Sequence, residues 1–172
     1  VCDGDNDCVW FEDHVISNST DYALSAHAED IDGDGDIDML SVSFSTDMLV
    51  WYENDGDQNF TEHFISYVDG GMDVYAKDVD ADGDMDVLSA SRFDDIIAWY
   101  ENDGNENFTK HIITTSADGP WSVYAIDMDG DGNMDVVSSS NYDDTIAWYE
   151  NDGSENFTEH IITSSANYVT SI

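Results

Sequence analysis

The chain has 172 residues, enough for one ordinary domain core or a short array of repeats. It carries 40 acidic against 3 basic side chains, a formal net charge of −37, which excludes nucleic acid and anionic membranes as partners because three cations cannot hold a run of phosphates. Its 41% hydrophobic and 12% aromatic content, with a single proline, marks a folded chain rather than the disorder such charge alone would produce, so cations are its natural partners and a salty medium suits it.

Residues 1–16 open on CDGDNDC, with Cys2 and Cys8 the two cysteines of the chain. A small local disulfide is the simplest reading and points to an oxidising compartment; two free thiols or cross-links between chains are the alternatives. FEDHVIS at 11 is a loose copy of a phrase that returns as FTEHFIS at 60, FTKHIIT at 108 and FTEHIIT at 157. Residues 9–16 therefore read as the last strand of a preceding unit. Beyond them MLVWYENDGDQN (48–59), IIAWYENDGNEN (96–107) and TIAWYENDGSEN (145–156) recur in step, and acidic strings begin at 30, 78 and 127. Every marker keeps a period of 48 or 49 residues, which divides the chain into units at 17–66, 67–114 and 115–163. The remaining 164–172 hold NYVTSI, which matches only a first strand.

Each unit is β throughout. In the third, WSVYAID (121–127) leads into the acidic string, MDVVSSS (134–140) alternates, and a turn at YDD precedes TIAWYEN (145–151). That strand ends on N-D-G, a strong hairpin-turn signal, and FTEHIIT (157–163) follows, rich in β-branched and aromatic residues. Four short strands per unit and no helical periodicity predict a β-propeller-type array of four-stranded blades, three complete and partial ones at both ends. Blades bury their faces on one another, so each needs neighbours. A closed seven-bladed ring would need about twice this chain. An open array, or a segment of a larger propeller or assembly, leaves strand edges that invite strand addition between copies, hence an expectation of filaments.

The acidic strings DIDGDGDID (30–38), DVDADGDMD (78–86) and DMDGDGNMD (127–135) have the spacing of a cation loop. Calcium takes six to eight oxygen ligands, and a tight turn gathers alternate side chains onto one ion. Glycine at the sixth position (Gly35, Gly83, Gly132) permits the sharp bend. The expected ligands are Asp30, Asp32, Asp34 and Asp38 in the first loop, Asp78, Asp80, Asp82 and Asp86 in the second, and Asp127, Asp129, Asp131 and Asp135 in the third. The seventh position (Asp36, Asp84, Asn133) is expected to offer its backbone carbonyl, which is why asparagine is tolerated there. Magnesium demands a stiffer octahedral site, and zinc lacks its nitrogen and sulfur donors here. About three calcium ions, one per blade, are expected.

With D-x-D-x-D-G-x-x-D between the first two strands, W-Y-E-N-D-G and F-x-x-H-x-I, the chain resembles the FG-GAP/VCBS repeat family. Those are calcium-containing β-propeller repeats related to the blades of integrin α-subunit heads. The resemblance spans nearly the whole chain and implies a fold and a metal more firmly than an activity.

No catalytic constellation stands out. His14, His63, His111 and His160 share one repeat position, which fits an inter-strand hydrogen bond better than catalysis, and His27 falls where the other blades have Tyr75 and Tyr124. Lys77 and Arg92 are unique but have no companions in the sequence. Trp51, Trp99 and Trp148 read as blade packing, whereas Trp10 and Trp121 lie outside that register and are better candidates for a contact surface. Asn18, Asn59, Asn107 and Asn156 head N-x-S/T triplets and are candidate N-glycosylation acceptors in a secreted protein. The expectation is a non-catalytic extracellular or cell-surface adhesion and scaffold module, self-assembling through open blade edges or meeting proteins or glycans. A glycan-binding lectin, or an accessory domain of a polysaccharide-degrading enzyme, is the rival.

Overall fold

The computed structural model describes residues 13–172. Twelve strands follow in order: β1 (Ala23–Glu29), β2 (Asp38–Ser43), β3 (Met48–Asn54), β4 (Phe60–Tyr67), β5 (Gly71–Lys77), β6 (Asp86–Ser91), β7 (Ile96–Asn102), β8 (Phe108–Thr114), β9 (Pro120–Ile126), β10 (Asp135–Ser140), β11 (Thr145–Asn151) and β12 (Phe157–Thr163). They form three four-stranded antiparallel meanders, β1–β4, β5–β8 and β9–β12, with no helix among the described residues. These are the blades that the repeat predicted.

Strand alternation explains how blades adhere. In the W-Y dipeptide of the third strand, tryptophan and tyrosine point to opposite faces. The Trp face of the first blade (Leu40, Val42, Leu49, Trp51, with Ile31 from the acidic loop) packs on the Tyr face of the second (Val74, Ala76, Val87, Ala98, Tyr100). The Trp face of the second blade (Val79, Leu88, Ala90, Ile97, Trp99) packs in the same way on Val123, Ala125, Val136, Ala147 and Tyr149 of the third. Strands β6 and β10 are buried on both faces, while the outer strands β4, β8 and β12 stay half-exposed. Burying a large apolar side chain such as Leu40 or Leu88 contributes roughly 1.5–3 kcal/mol, so the cohesion lies between sheets as much as within them.

The innermost strands also touch. His27, Tyr75 and Tyr124 meet in sequence as tilted rings with centroids 4.7 and 4.6 Å apart. Asp73 on β5 spans three blades: its carboxylate accepts Ser25 Oγ at 2.7 Å, Ser122 Oγ at 2.9 Å and the Val123 amide at 3.1 Å.

The flanks differ from expectation. Residues 13–16 hold no strand, while residues 9–12 and the Cys2–Cys8 pair lie outside the described residues. Residues 164–172 hold no strand either, because the described residues offer no second strand with which they could pair. They reproduce the turn that precedes β5 and β9 instead. Ala166 N donates to Asp144 O at 2.9 Å, as Val68 N does to Asp47 O at 2.8 Å. Tyr168 N meets Asp144 Oδ1 at 3.1 Å, as Gly70 N meets Asp47 Oδ1 at 2.9 Å.

Candidate metal centre

Each acidic loop joins the first two strands of its blade and closes on its own carboxylates. In the first, Asp30 accepts Gly33 N at 2.9 Å and Gly35 N at 3.1 Å, and Asp32 accepts Asp34 N at 3.1 Å. The sixth-position glycines all take φ near +100° (98, 103 and 98°), a backbone that a side chain would strain, as the spacing predicted. The ninth aspartate then ties the loop to the far hairpin. Buried Asp38 accepts Ile31 N at 3.0 Å and Asn54 N at 2.8 Å; Asp86 does so with Val79 and Asn102, and Asp135 with Met128 and Asn151.

Three carboxylates converge in every loop: Asp30, Asp32 and Asp38; Asp78, Asp80 and Asp86; Asp127, Asp129 and Asp135. Within each group ligand oxygens lie within 4.8 Å of one another, a spacing that could hold a metal ion. The fifth position stands apart. Asp34, Asp82 and Asp131 fall outside that convergence and accept the amide two residues on at 2.8, 2.9 and 2.8 Å, the same turn bond that Asp32, Asp80 and Asp129 make. The seventh-position side chains lie against the N-D-G turn instead: Asp36 beside Gly56, Asp84 beside Gly104, Asn133 beside Gly153.

The electrostatics fit a bound cation. Burial pushes the Asp86 carboxyl up to about 7, against the pull of the Asn102 and Val79 amides. Burial likewise raises Asp32 and Asp80. In the second loop Asp78 Oδ1 is buried without a hydrogen-bond partner. Its counterparts Asp30 and Asp127 receive the amides of Gly33 and Gly130, whereas the second loop has Ala81 there. An all-oxygen, multiply charged donor set with an orphaned carboxylate oxygen suits a hard divalent ion.

Two supporting sets of residues escaped sequence reasoning. Asn54, Asn102 and Asn151, which end the W-Y-E-N strand, donate Nδ2 to Ile37, Met85 and Met134 carbonyls at 3.0–3.1 Å and brace the loop from behind. Asn102 also reaches Ile31 O of the preceding blade at 3.2 Å. The candidate glycan acceptors Asn59, Asn107 and Asn156 donate Nδ2 to Asp55, Asp103 and Asp152 and so close the N-D-G turn. Their recurrence at a fixed distance beyond each acidic string was the available signal.

Three of the four repeat histidines play the structural part expected, while His14 lies outside any strand. His63, His111 and His160 bond Glu53, Glu101 and Glu150 on the adjacent strand at 2.7–2.8 Å and stack on Trp51, Trp99 and Trp148. Arg92, by contrast, has companions that the sequence hid: it lies 4.9 Å from the rings of both Trp121 and Tyr142.

A family model described as an FG-GAP-like repeat matches residues 30–89, 78–138 and 127–172. Each match begins at an acidic loop, and the first two run on past the next. No curated protein matches the chain.

Proposed function

The chain belongs to the FG-GAP-like repeat family, and from that premise we propose that it is a non-catalytic, calcium-stabilised extracellular scaffold whose blades stack on those of further copies to build an adhesive surface or filament. The observation that carries this reading is the Trp face of the third blade. Its loop residue Met128 is 47% exposed where Ile31 and Val79 are 2%, and Ile146 and Trp148 are half-buried where Leu49, Ile97, Trp51 and Trp99 are sealed. Only the rim of that face is open, since Val137 and Ser139 of β10 are buried on it at 8% and 0%. It repeats the pattern that binds a Tyr face twice within the chain, except that Ser139 stands where the others have Val42 and Ala90. The Tyr face of the first blade is its counterpart, but His14–Ser17 and Thr20 lie over Ala26, Met39, Ser41 and Tyr52, which is 3% exposed, so a second copy would have to displace that segment.

The oxygen-only donor set supports calcium as the ion. When bound it would neutralise the three carboxylates of each loop and tie the loop to its blade. Asp30, Asp32 and Asp38, with their counterparts in the other two loops, would hold it. Extracellular calcium modules work at millimolar calcium, and an extracellular setting is in keeping with the N-x-S/T triplets and the acidic composition.

Sedimentation velocity in millimolar calcium tests the reading. Concentration-dependent association is expected for the parent chain and its loss for Trp148→Glu. A parent chain that stays monomeric at every concentration would overturn the stacking.

A further inference from the structure

The blade ends opposite the acidic loops carry a row of aromatic rings. Tyr22 and Phe44 lie 5.9 Å apart, and Phe44 and Phe93 lie 5.2 Å apart, tilted at 58 and 60°. Arg92 follows, its guanidinium 4.9 Å from both Trp121 and Tyr142, with Nε donating to the Tyr142 hydroxyl at 3.0 Å. The row crosses all three blades, and Tyr22, Phe93 and Tyr142 are each more than half exposed.

Two features set it apart from ordinary packing. The row departs from the repeat in the first blade: the positive-φ turn position is Tyr22 there but Gly70 and Gly119 in the others, and Ser45 stands where they have Phe93 and Tyr142. Phe93 and Tyr142 are seated on those glycines, and a side chain built on Gly70 would come within 2.6 Å of the Phe93 ring. Phe93 and Tyr142 are thus fixed from beneath while more than half exposed, a pre-organised pair at the centre of the row. The Arg92 guanidinium lies against both Trp121 and Tyr142 with the Tyr142 hydroxyl beside it, and the ion pairs of the described residues, all His–Glu, do not include Arg92.

We infer that this row binds a neutral polysaccharide. Sugar rings offer apolar C–H faces alternating with hydroxyls, which matches tilted aromatic faces interleaved with hydrogen-bond donors. Charge selects the class of occupant. Asp47, Asp94, Asp95, Asp143 and Asp144 flank the row in its turns, in a chain of net charge −37. An anionic polymer is repelled, and a second copy would bring like-charged turns together. The site is separate from the Trp face of the third blade, so the stacking proposed above can fail while this stands.

Affinity electrophoresis in gels containing a soluble neutral β-glucan, or a neutral galactomannan, tests it, with alginate as the anionic control. Retardation is expected in at least one neutral gel and not in alginate. Trp121→Ala and Tyr142→Ala should each weaken it about tenfold, and Trp121→Phe, which keeps a ring, should retain most of it. Thermal melts in calcium identify any variant that merely unfolds, in which case Trp121→Phe and Phe93→Leu carry the comparison. Equal migration in all gels, undiminished binding by both alanine variants, or loss of self-association rather than of retardation would overturn the proposal.

Discussion

At the scale of single residues, the three loops are near copies whose small differences predict different behaviour. The ninth aspartate binds two amides in a buried place, whereas the fifth sits in an exposed turn. Asp86→Ala should therefore destabilise the chain by about 3 kcal/mol, while Asp82→Ala should change stability by less than about 1 kcal/mol; urea melts of the two variants decide it. Ala81 takes φ 65° where the other loops have Gly33 and Gly130. Ala81→Gly removes that strain and should raise stability by about 1 kcal/mol, read as a higher urea midpoint with unchanged slope. The ligand spacing was legible because it is local. The place of Asp82 outside the convergent group was not, since strict alternation makes all five acidic positions look equivalent until the fold sets three of them together. The asparagine clamp was hidden for another reason: Asn102 meets Asp86 across 16 residues of intervening hairpin.

At the scale of strands and blades, period-2 alternation and the N-D-G turns made the meander readable almost strand for strand. Contacts between blades were not readable, because no local pattern says which residue of one repeat meets which residue of the next. Arg92, Trp121 and Tyr142 belong to that class, coming together from the second and third blades. The same asymmetry separates the tryptophans. Trp99 is sealed between two sheets, while Trp148 has a sheet on one side. Trp99→Ala should cost about 3–5 kcal/mol, and Trp148→Ala distinctly less in dilute monomer. Thermal melts at low protein concentration measure the gap, and equal losses would contradict the packing described.

At the scale of the whole molecule, charge dominates. Removing divalent ions leaves each group of carboxylates facing itself, so excess EDTA should lower the melting temperature substantially. High salt, which shrinks the screening length from about 10 Å at 0.1 M to about 3 Å at 1 M, should restore part of the loss. An unchanged melt in EDTA would argue against structural metal. Acid acts on other groups as well. The Asn59 side chain bonding Asp55, and backbone amides of Asn105 and Ser154 bonding Asp103 and Asp152, hold these three carboxyls below the usual range. Because their folded values are depressed, the stability they contribute is present above the ordinary aspartate range and lost as pH falls through the depressed values. Asp55→Asn, Asp103→Asn and Asp152→Asn combined should flatten that acid limb in a pH series of melts.

Near-identical blades carry a hazard of mistaken identity, since a nascent chain could seat its third blade on its first and leave the second stranded. Asp73 works against that error. The equivalent positions are Ser25 and Ser122, so the middle blade alone presents a carboxylate and both neighbours present hydroxyls to it. Joining the first blade directly to the third would set serine against serine and forfeit both charge-assisted bonds. One aspartate thus gives the repeats an order of assembly, and Asp73→Ser should show itself less in the final melt than in the yield of correctly refolded chain.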